Sequence, residues 1–418
     1  AAQAPEEDEE KEPEEEEPKE QAILVNLSGY ETTDSKIAVF RGEDMNESFE
    51  IIDADTKQSV YAGSIIRAVR NTKAGEIDAY GDFSDFDEPG TYYISTQNHG
   101  ESASFVIEKN HYQKLLDERT QYSMQNRQGG ILNAAQLNDC MMQVTDWLLT
   151  YEFLTEPSED STLPEVISFA RQRIELLQSY QDTADGSIHI KDITENTIYY
   201  RYAAVFAMFA DIYQTFDEAY ADTCREQAIA AWNYAEANTE ALEPDSCSCD
   251  DERYWASAQL YKLTGEKEYR SIAESYVGET IPVGFSDDET GYLGSLAYLT
   301  TTNKTELKLS EQIMKAVFDD AIAIVNASAK DGYMIAAGDA YDEDSVLTAF
   351  ANARLLTFAN IISKSVDYVD TAANHLDYLY GRNPYMINYA GDETSAYYNE
   401  PETFILTGML RSYIVAGQ

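Results

Sequence analysis

The sequence predicts a mainly α protein, an (α/α)6 barrel preceded by an immunoglobulin-like β-sandwich. Three observations lead there. Residues 22–108 carry alternating or β-branched apolar runs separated by Gly, Asp, Asn and Pro signals. From about Glu108 the apolar period becomes helical and stays so to the end. About twelve amphipathic segments then follow without convincing strands, and no repeat of fixed period favours a solenoid. The expected organisation is a disordered acidic tether over 1–21, a sandwich over 22–108 and a barrel over 109–418.

The strands are expected at Ala22–Leu27, Lys36–Phe40, Phe49–Asp53, Ser64–Val69, Ile77–Phe83, Gly90–Ser95 and Ala103–Ile107. Asp87-Glu-Pro-Gly90 is a turn that feeds Thr91-Tyr-Tyr-Ile94. Helices are expected near 111–124, 136–154, 164–180, 198–216, 220–238, 251–264, 266–277, 291–300, 306–327, 346–362, 366–380 and 402–416. In the fourth, Ala203, Phe206, Ala207, Ala210 and Tyr213 share one face.

With 29 basic and 76 acidic residues the formal charge is −47. That field repels nucleic acid and anionic membrane, and suits divalent cations or a neutral glycan. Residues 1–20 hold eleven acidic and two basic residues. A Pro-punctuated acidic segment of this kind cannot bury a core, and reads as a tether for a secreted or surface-held domain or as a solubilising leader. Ala1-Ala2-Gln3 looks like a processed start. No apolar run reaches the ~18–20 residues of a membrane span. The cysteines, Cys140, Cys224, Cys247 and Cys249, are too few for a disulfide framework and lack zinc spacing. They read as structural thiols or one long-range pair.

Ile23-Leu-Val-Asn-Leu-Ser-Gly-Tyr30, Asp82-Phe-Ser84 and Gly90-Thr-Tyr-Tyr-Ile94 resemble the immunoglobulin-like domain that precedes many glycoside hydrolase family 9 catalytic domains. Asp251-Glu-Arg-Tyr-Trp-Ala-Ser-Ala-Gln-Leu-Tyr-Lys-Leu-Thr-Gly265 and Leu376-Asp-Tyr-Leu-Tyr-Gly-Arg-Asn-Pro384 resemble two motifs of that family's barrel. Both motifs read as structural. Trp255 falls on an apolar helix face, and Gly381 with Pro384 ends a helix.

The resemblance implies inverting hydrolysis of β-glucans. Inversion needs a base that activates water and an acid that protonates the leaving oxygen, ~6.5–9.5 Å apart. The family's base loop, Asp-Ala-Gly-Asp after Gly-Gly, corresponds here to Gly129-Gly-Ile-Leu-Asn-Ala-Ala-Gln136. Asn133 and Gln136 thus stand where the two aspartates are expected. An amide orients water but cannot take its proton. Asp139, nearly one turn beyond Gln136, is either a displaced base or a solvated or capping residue.

On the acid side, Asn399-Glu400 resembles the family's terminal Asn-Glu, although Pro401 follows. Glu400 is a relic of the acid or a residue favoured by a helix N-terminus. The family's sugar-gripping His-His-Arg cluster has no counterpart, because 385–398 contains neither His nor Arg. Tyrosines at expected rim positions (Tyr199, Tyr200 and Tyr202; Tyr385 and Tyr389; Tyr397 and Tyr398) are candidates for sugar stacking, protein contact or plain surface. Of these, Tyr200, Tyr385, Tyr397 and Tyr398 are the substrate-binding candidates. No metal-ligating motif stands out. The resemblance implies structural calcium, for which Asp287-Asp-Glu289 and Tyr341-Asp-Glu-Asp344 offer oxygens without EF-hand spacing.

The resulting expectation is a secreted or tethered member with a degenerate site that binds glycan or serves structurally. Two rivals remain: a weak β-glycosidase using Glu400 with Asp139, and a protein scaffold or self-associating rim.

Overall fold

The structure is a computed structural model that describes residues 22–42, 47–125, 130–155, 163–191, 193, 195–238, 250–277, 281–285 and 290–416. The expected tether, Arg127–Gly129, Cys247, Cys249 and Asp287–Glu289 lie outside the described residues.

Among the described residues, nine strands come first: β1 Ile23–Leu24, β2 Tyr30–Glu31, β3 Ile37–Arg41, β4 Ser48–Asp53, β5 Ser59–Asn71, β6 Glu76–Asp82, β7 Gly90–Thr96, β8 Gly100–Glu101 and β9 Phe105–Glu108. They run in the order β1-β3-β6-β5-β4-β7-β9-β2, with β8 on β7. The 13-residue β5 serves both halves of the sandwich, pairing β4 over 59–64 and β6 over 65–71. It is longer than the expected Ser64–Val69 because its flanking residues find partners. The two-residue β2 and β8 carry too little pattern to be read from sequence, and β2 is held by parallel pairing with β9. Phe40, Phe49, Ile51, Phe83, Ile94 and Phe105 fill the sandwich.

Among the described residues, twelve helices follow: α1 His111–Gln125, α2 Ala134–Leu154, α3 Glu165–Gln178, α4 Asn196–Tyr213, α5 Glu218–Ala237, α6 Asp250–Thr264, α7 Lys267–Val277, α8 Gly291–Thr300, α9 Leu307–Ser328, α10 Glu343–Ile362, α11 Val366–Leu379 and α12 Thr403–Ala416. Even-numbered helices form the inner ring and odd-numbered ones the outer. The inner ring is buried nearly all round, as in Tyr199–Ala210 of α4, whereas outer α9 and α7 bury one stripe. Between α8 and α10 the ring is bridged by Phe285, which stacks on Tyr292 at 4.4 Å and meets Phe358 at 5.6 Å. Trp255 is fully buried, as its helical position predicts. Among the described residues α10 alone is long and apolar enough to cross a membrane, and it is a core helix of this ring. Cys140 and Cys224 are buried.

The two domains meet where α11 ends. Gly381, at φ +114°, lies so close to the sandwich that an added Cβ would sit 2.5 Å from Leu27 Cγ. Gly381→Ala is expected to lower stability by about 1–3 kcal/mol, read as a shift in the denaturant midpoint.

Candidate active-site region

Alternating inner and outer helices put all odd-to-even connections at one end of the toroid. The α1–α2 and α11–α12 connections, which bear Asn133 and Glu400, therefore open on the same side.

The α1–α2 connection is tied to the next hairpin, since the Ile131 N–H donates to Tyr180 Oη at 2.8 Å. Asn133 is the N-cap of α2, its Oδ1 accepting the Gln136 N–H at 2.9 Å. Gln136 reaches back, its Oε1 accepting the Leu132 N–H at 2.9 Å. Asn133 thus satisfies a free donor of the first turn, and Gln136 ties the preceding residue back to that turn. Asp139 is exposed on the same helix. One residue earlier, Asn138 accepts from Arg201 at 2.6 Å, and Arg201 is paired with buried Glu252 at 2.8 Å. Burial, followed by the neighbouring Asp251 carboxyl, pushes the Glu252 carboxyl up.

Glu400 lies in the α11–α12 connection, just before α12. Glu400 is half-buried, and its N–H closes a turn on the Tyr397 carbonyl at 3.0 Å. Two residues on, Glu402 is 2 % exposed. It pairs with Arg119 at 2.5 Å and accepts from Tyr380 Oη at 3.1 Å on each oxygen. Burial is the largest influence on Glu402 and raises its pKa against the lowering effect of Arg119.

Asp146, in mid-α2, caps α12 from outside, accepting the Thr403 N–H at 2.7 Å and the Phe404 N–H at 3.2 Å. Arg354 of α10 donates to the Pro401 carbonyl at 2.8 Å. Sequence reasoning missed Arg119, Asp146, Arg354 and Glu402. The available signal was a lone charge inside an apolar helix, Asp146 within Val144–Leu149 and Arg354 within Phe350–Phe358.

The tyrosine expectations divide. Tyr199, Tyr200 and Tyr202 are not on a rim. They belong to inner helix α4 and are at most 4 % exposed, so Tyr200 offers no sugar-stacking face, and its hydroxyl donates to Glu236 at 2.6 Å. Tyr398 is also buried, with Arg119 4.0 Å above its ring and Tyr122 edge-on at 4.4 Å. Tyr397 is half-buried against Tyr389, at 5.6 Å. Tyr385 is 61 % exposed, on a loop whose N–H groups at Tyr385 and Ile387 both donate to Asn383 Oδ1 at 3.1 Å.

For calcium, no group of three or more His, Cys, Asp or Glu side chains converges among the described residues. Asp342 is instead the N-cap of α10, in a capping box with Ser345. The other acidic cluster, Asp287–Glu289, lies outside the described residues, and no step is assigned to the ion.

The profile of Glycosyl hydrolase family 9 matches residues 108–403, and that of the Cellulase N-terminal ig-like domain matches residues 18–101. Endoglucanase D of Acetivibrio thermocellus is 27 % identical over 202 residues, which is 45 % of this chain and 32 % of that protein. A Cellodextrinase of Butyrivibrio fibrisolvens is 24 % identical over 230 residues, covering 47 % of this chain and 41 % of the relative. The chain thus spans less than half the length of the curated relatives it matches.

Among solved structures, a metagenome-derived glycoside hydrolase family 9 endoglucanase superposes with a TM-score of 0.74 at 19 % identity, covering 89 % of this chain and 86 % of its own. A Bacteroides ovatus GH9 structure gives 0.73 at 16 %, covering 94 % and 99 %. These likenesses establish the barrel and the preceding sandwich as the shared fold. With the family profile spanning most of the barrel, the chain belongs to glycosyl hydrolase family 9.

Proposed function

We propose that this chain no longer hydrolyses β-glucan at the family's rate and acts outside the cell, secreted or surface-tethered, by binding glycan or as a structural surface protein. One observation carries the reading. Asn133 and Gln136, which stand where the resemblance expects the base aspartates, are amides whose side-chain oxygens are engaged by the backbone N–H groups of Gln136 and Leu132. Neither accepts a proton near neutral pH, and loss of a general base costs ~10²–10⁴-fold. The names of the curated relatives, endoglucanase and cellodextrinase, favour a glucan as the ligand. Exposed Tyr385 is the stacking surface assigned to it.

The test is reducing-end release from a soluble β-1,4-glucan beside an active family member, with retention on insoluble glucan measured in parallel. Release is expected to be at least ~10²-fold slower. Asn133→Asp with Gln136→Asp is expected to leave it far below the active member, because 385–398 supplies no His or Arg to grip the sugar. Family-rate hydrolysis by the parent chain overturns the loss of activity. Failure to retain glucan overturns the binding role and leaves the structural one.

A further inference from the structure

The contact between sandwich and barrel is polar at its centre. The β5–β6 hairpin enters the α9–α10 connection, where Asn71 Nδ2 donates to Asp78 Oδ2 at 2.7 Å and to Tyr341 Oη at 3.0 Å. Tyr341 Oη donates to Asp331 Oδ2 at 3.0 Å, and Lys73 pairs with the same oxygen at 2.8 Å. Tyr80 donates to the carbonyls of Asp331 and Gly332, at 3.3 and 3.1 Å. Gly332 lies directly over the pair, since an added Cβ would stand 2.2 Å from both Asn71 Nδ2 and Asp78 Oδ2. The barrel backbone is therefore the lid that removes Asp78 from water, and Asp78 is 0 % exposed.

Asp78 has one satisfied oxygen and one that is not. Oδ1 is buried without a hydrogen-bond donor. Glu76, another carboxyl, stands two residues before Asp78 on β6 and so on the same face of the strand, close enough to act on it. Two carboxylates facing each other repel, whereas one proton between them supplies the missing hydrogen bond. Glu76 is already held by Arg41 at 2.8 Å and by Tyr333 Oη.

We propose that the Glu76–Asp78 pair is a proton-dependent clasp between the sandwich and the barrel, closed when the pair holds a proton and loosened when it loses it. Burial, with Glu76 adding to it, raises the Asp78 carboxyl to about 7 against the opposing pull of Asn71 and Arg41. Undocked, Asp78 faces water, and its pKa falls to the ordinary ~3.9. Docking then takes up a proton, so it is strongest below ~4 and weakens as pH rises to about 7, by at most ~tenfold per pH unit. The remaining titratable groups around the pair are Lys73 on the hairpin, Tyr80 on β6, and Asp331, Tyr333 and Tyr341 on the barrel connection. His375 of α11 lies behind Asp331, and burial lowers it to about 4, which keeps it neutral through this window.

The test is hydrogen exchange of the segment 329–342 in the full chain between pH 5 and 8, corrected for intrinsic exchange. Protection should fall several-fold per pH unit up to about 7. Asp78→Asn, which can donate to Glu76 without a proton from solvent, should flatten the profile. Glu76→Gln, which can donate to Asp78, should flatten it too, and it covers the case in which the first variant fails to fold. A flat profile in the parent chain, or a slope retained in the folded variants, overturns the clasp.

Discussion

Replacing Arg382 by alanine is expected to lower stability by about 3–5 kcal/mol. Arg382 is fully buried between the two domains. Its Nη1 donates to the Ile37 carbonyl at 3.0 Å and pairs with Asp377 at 2.9 Å, while Nη2 reaches Asn374 Oδ1 at 2.8 Å. Asp377 also accepts from Asn26 of the sandwich, at 2.8 Å. One guanidinium thus joins the end of α11 to β3, which lies 345 residues earlier.

The cost comes less from the lost attraction than from what is left behind. Burial already pushes the Asp377 carboxyl up, and Arg382 is the leading influence that holds it down. Without Arg382, Asp377 is a buried charge that must find a proton. Its folded pKa then lies further above the ~3.9 of the unfolded chain. The stability of the variant should therefore recover as pH falls from 7 towards 5, relative to the parent. Urea midpoints at the two pH values read this directly. Arg382→Ala matching the parent at pH 7 would show that the junction carries no such load. Arg382→Lys should fall between the two, since a single ammonium cannot reach all three acceptors.

Sequence pattern located the helices well because each is long and periodic. α8 runs from Gly291 to Thr300 as expected, and α10 starts three residues early because Asp342 caps it. The same pattern misplaced Tyr199, Tyr200 and Tyr202. Aromatic residues close to a helix start resemble a rim, but α4 is an inner helix, and the ring of neighbours that buries it lies outside any local window. The cap built by Asn133 and Gln136 is local, since both amides act within four residues of themselves, but a search for aspartates passes over it. The charged groups around the start of α12 were not legible, because their partners are remote. Asp146 caps a helix that begins 257 residues later, and Arg119 meets Glu402 across the whole barrel sequence. A periodic pattern records which face a residue takes, not which distant charge it will meet there.

Glu402 makes the second large effect. Glu402→Ala is expected to cost about 3–5 kcal/mol, whereas Glu400→Gln, two residues away and only half-buried, should stay within about 0.5 kcal/mol. Removing the Glu402 carboxylate leaves Arg119 buried with its charge unanswered, and Arg119 Nη1 already lacks an acceptor. The Arg119 guanidinium lies over Tyr398, so its loss of position should propagate into 395–402, the segment that carries Glu400. A double-mutant cycle with Arg119→Leu separates the pair from its surroundings. If the two groups act as a unit, Arg119→Leu with Glu402→Ala should cost much less than the sum of the single changes. Strict additivity would count against the pair. The cycle also distinguishes two roles for a carboxylate at this end of the barrel. An acid used in catalysis is exchanged for its amide with loss of rate and little loss of stability. Glu402, closed between Arg119 and Tyr380, should show the reverse: Glu402→Gln should lower the denaturant midpoint, and restoring the midpoint with Arg119→Leu should not depend on any glycan being present.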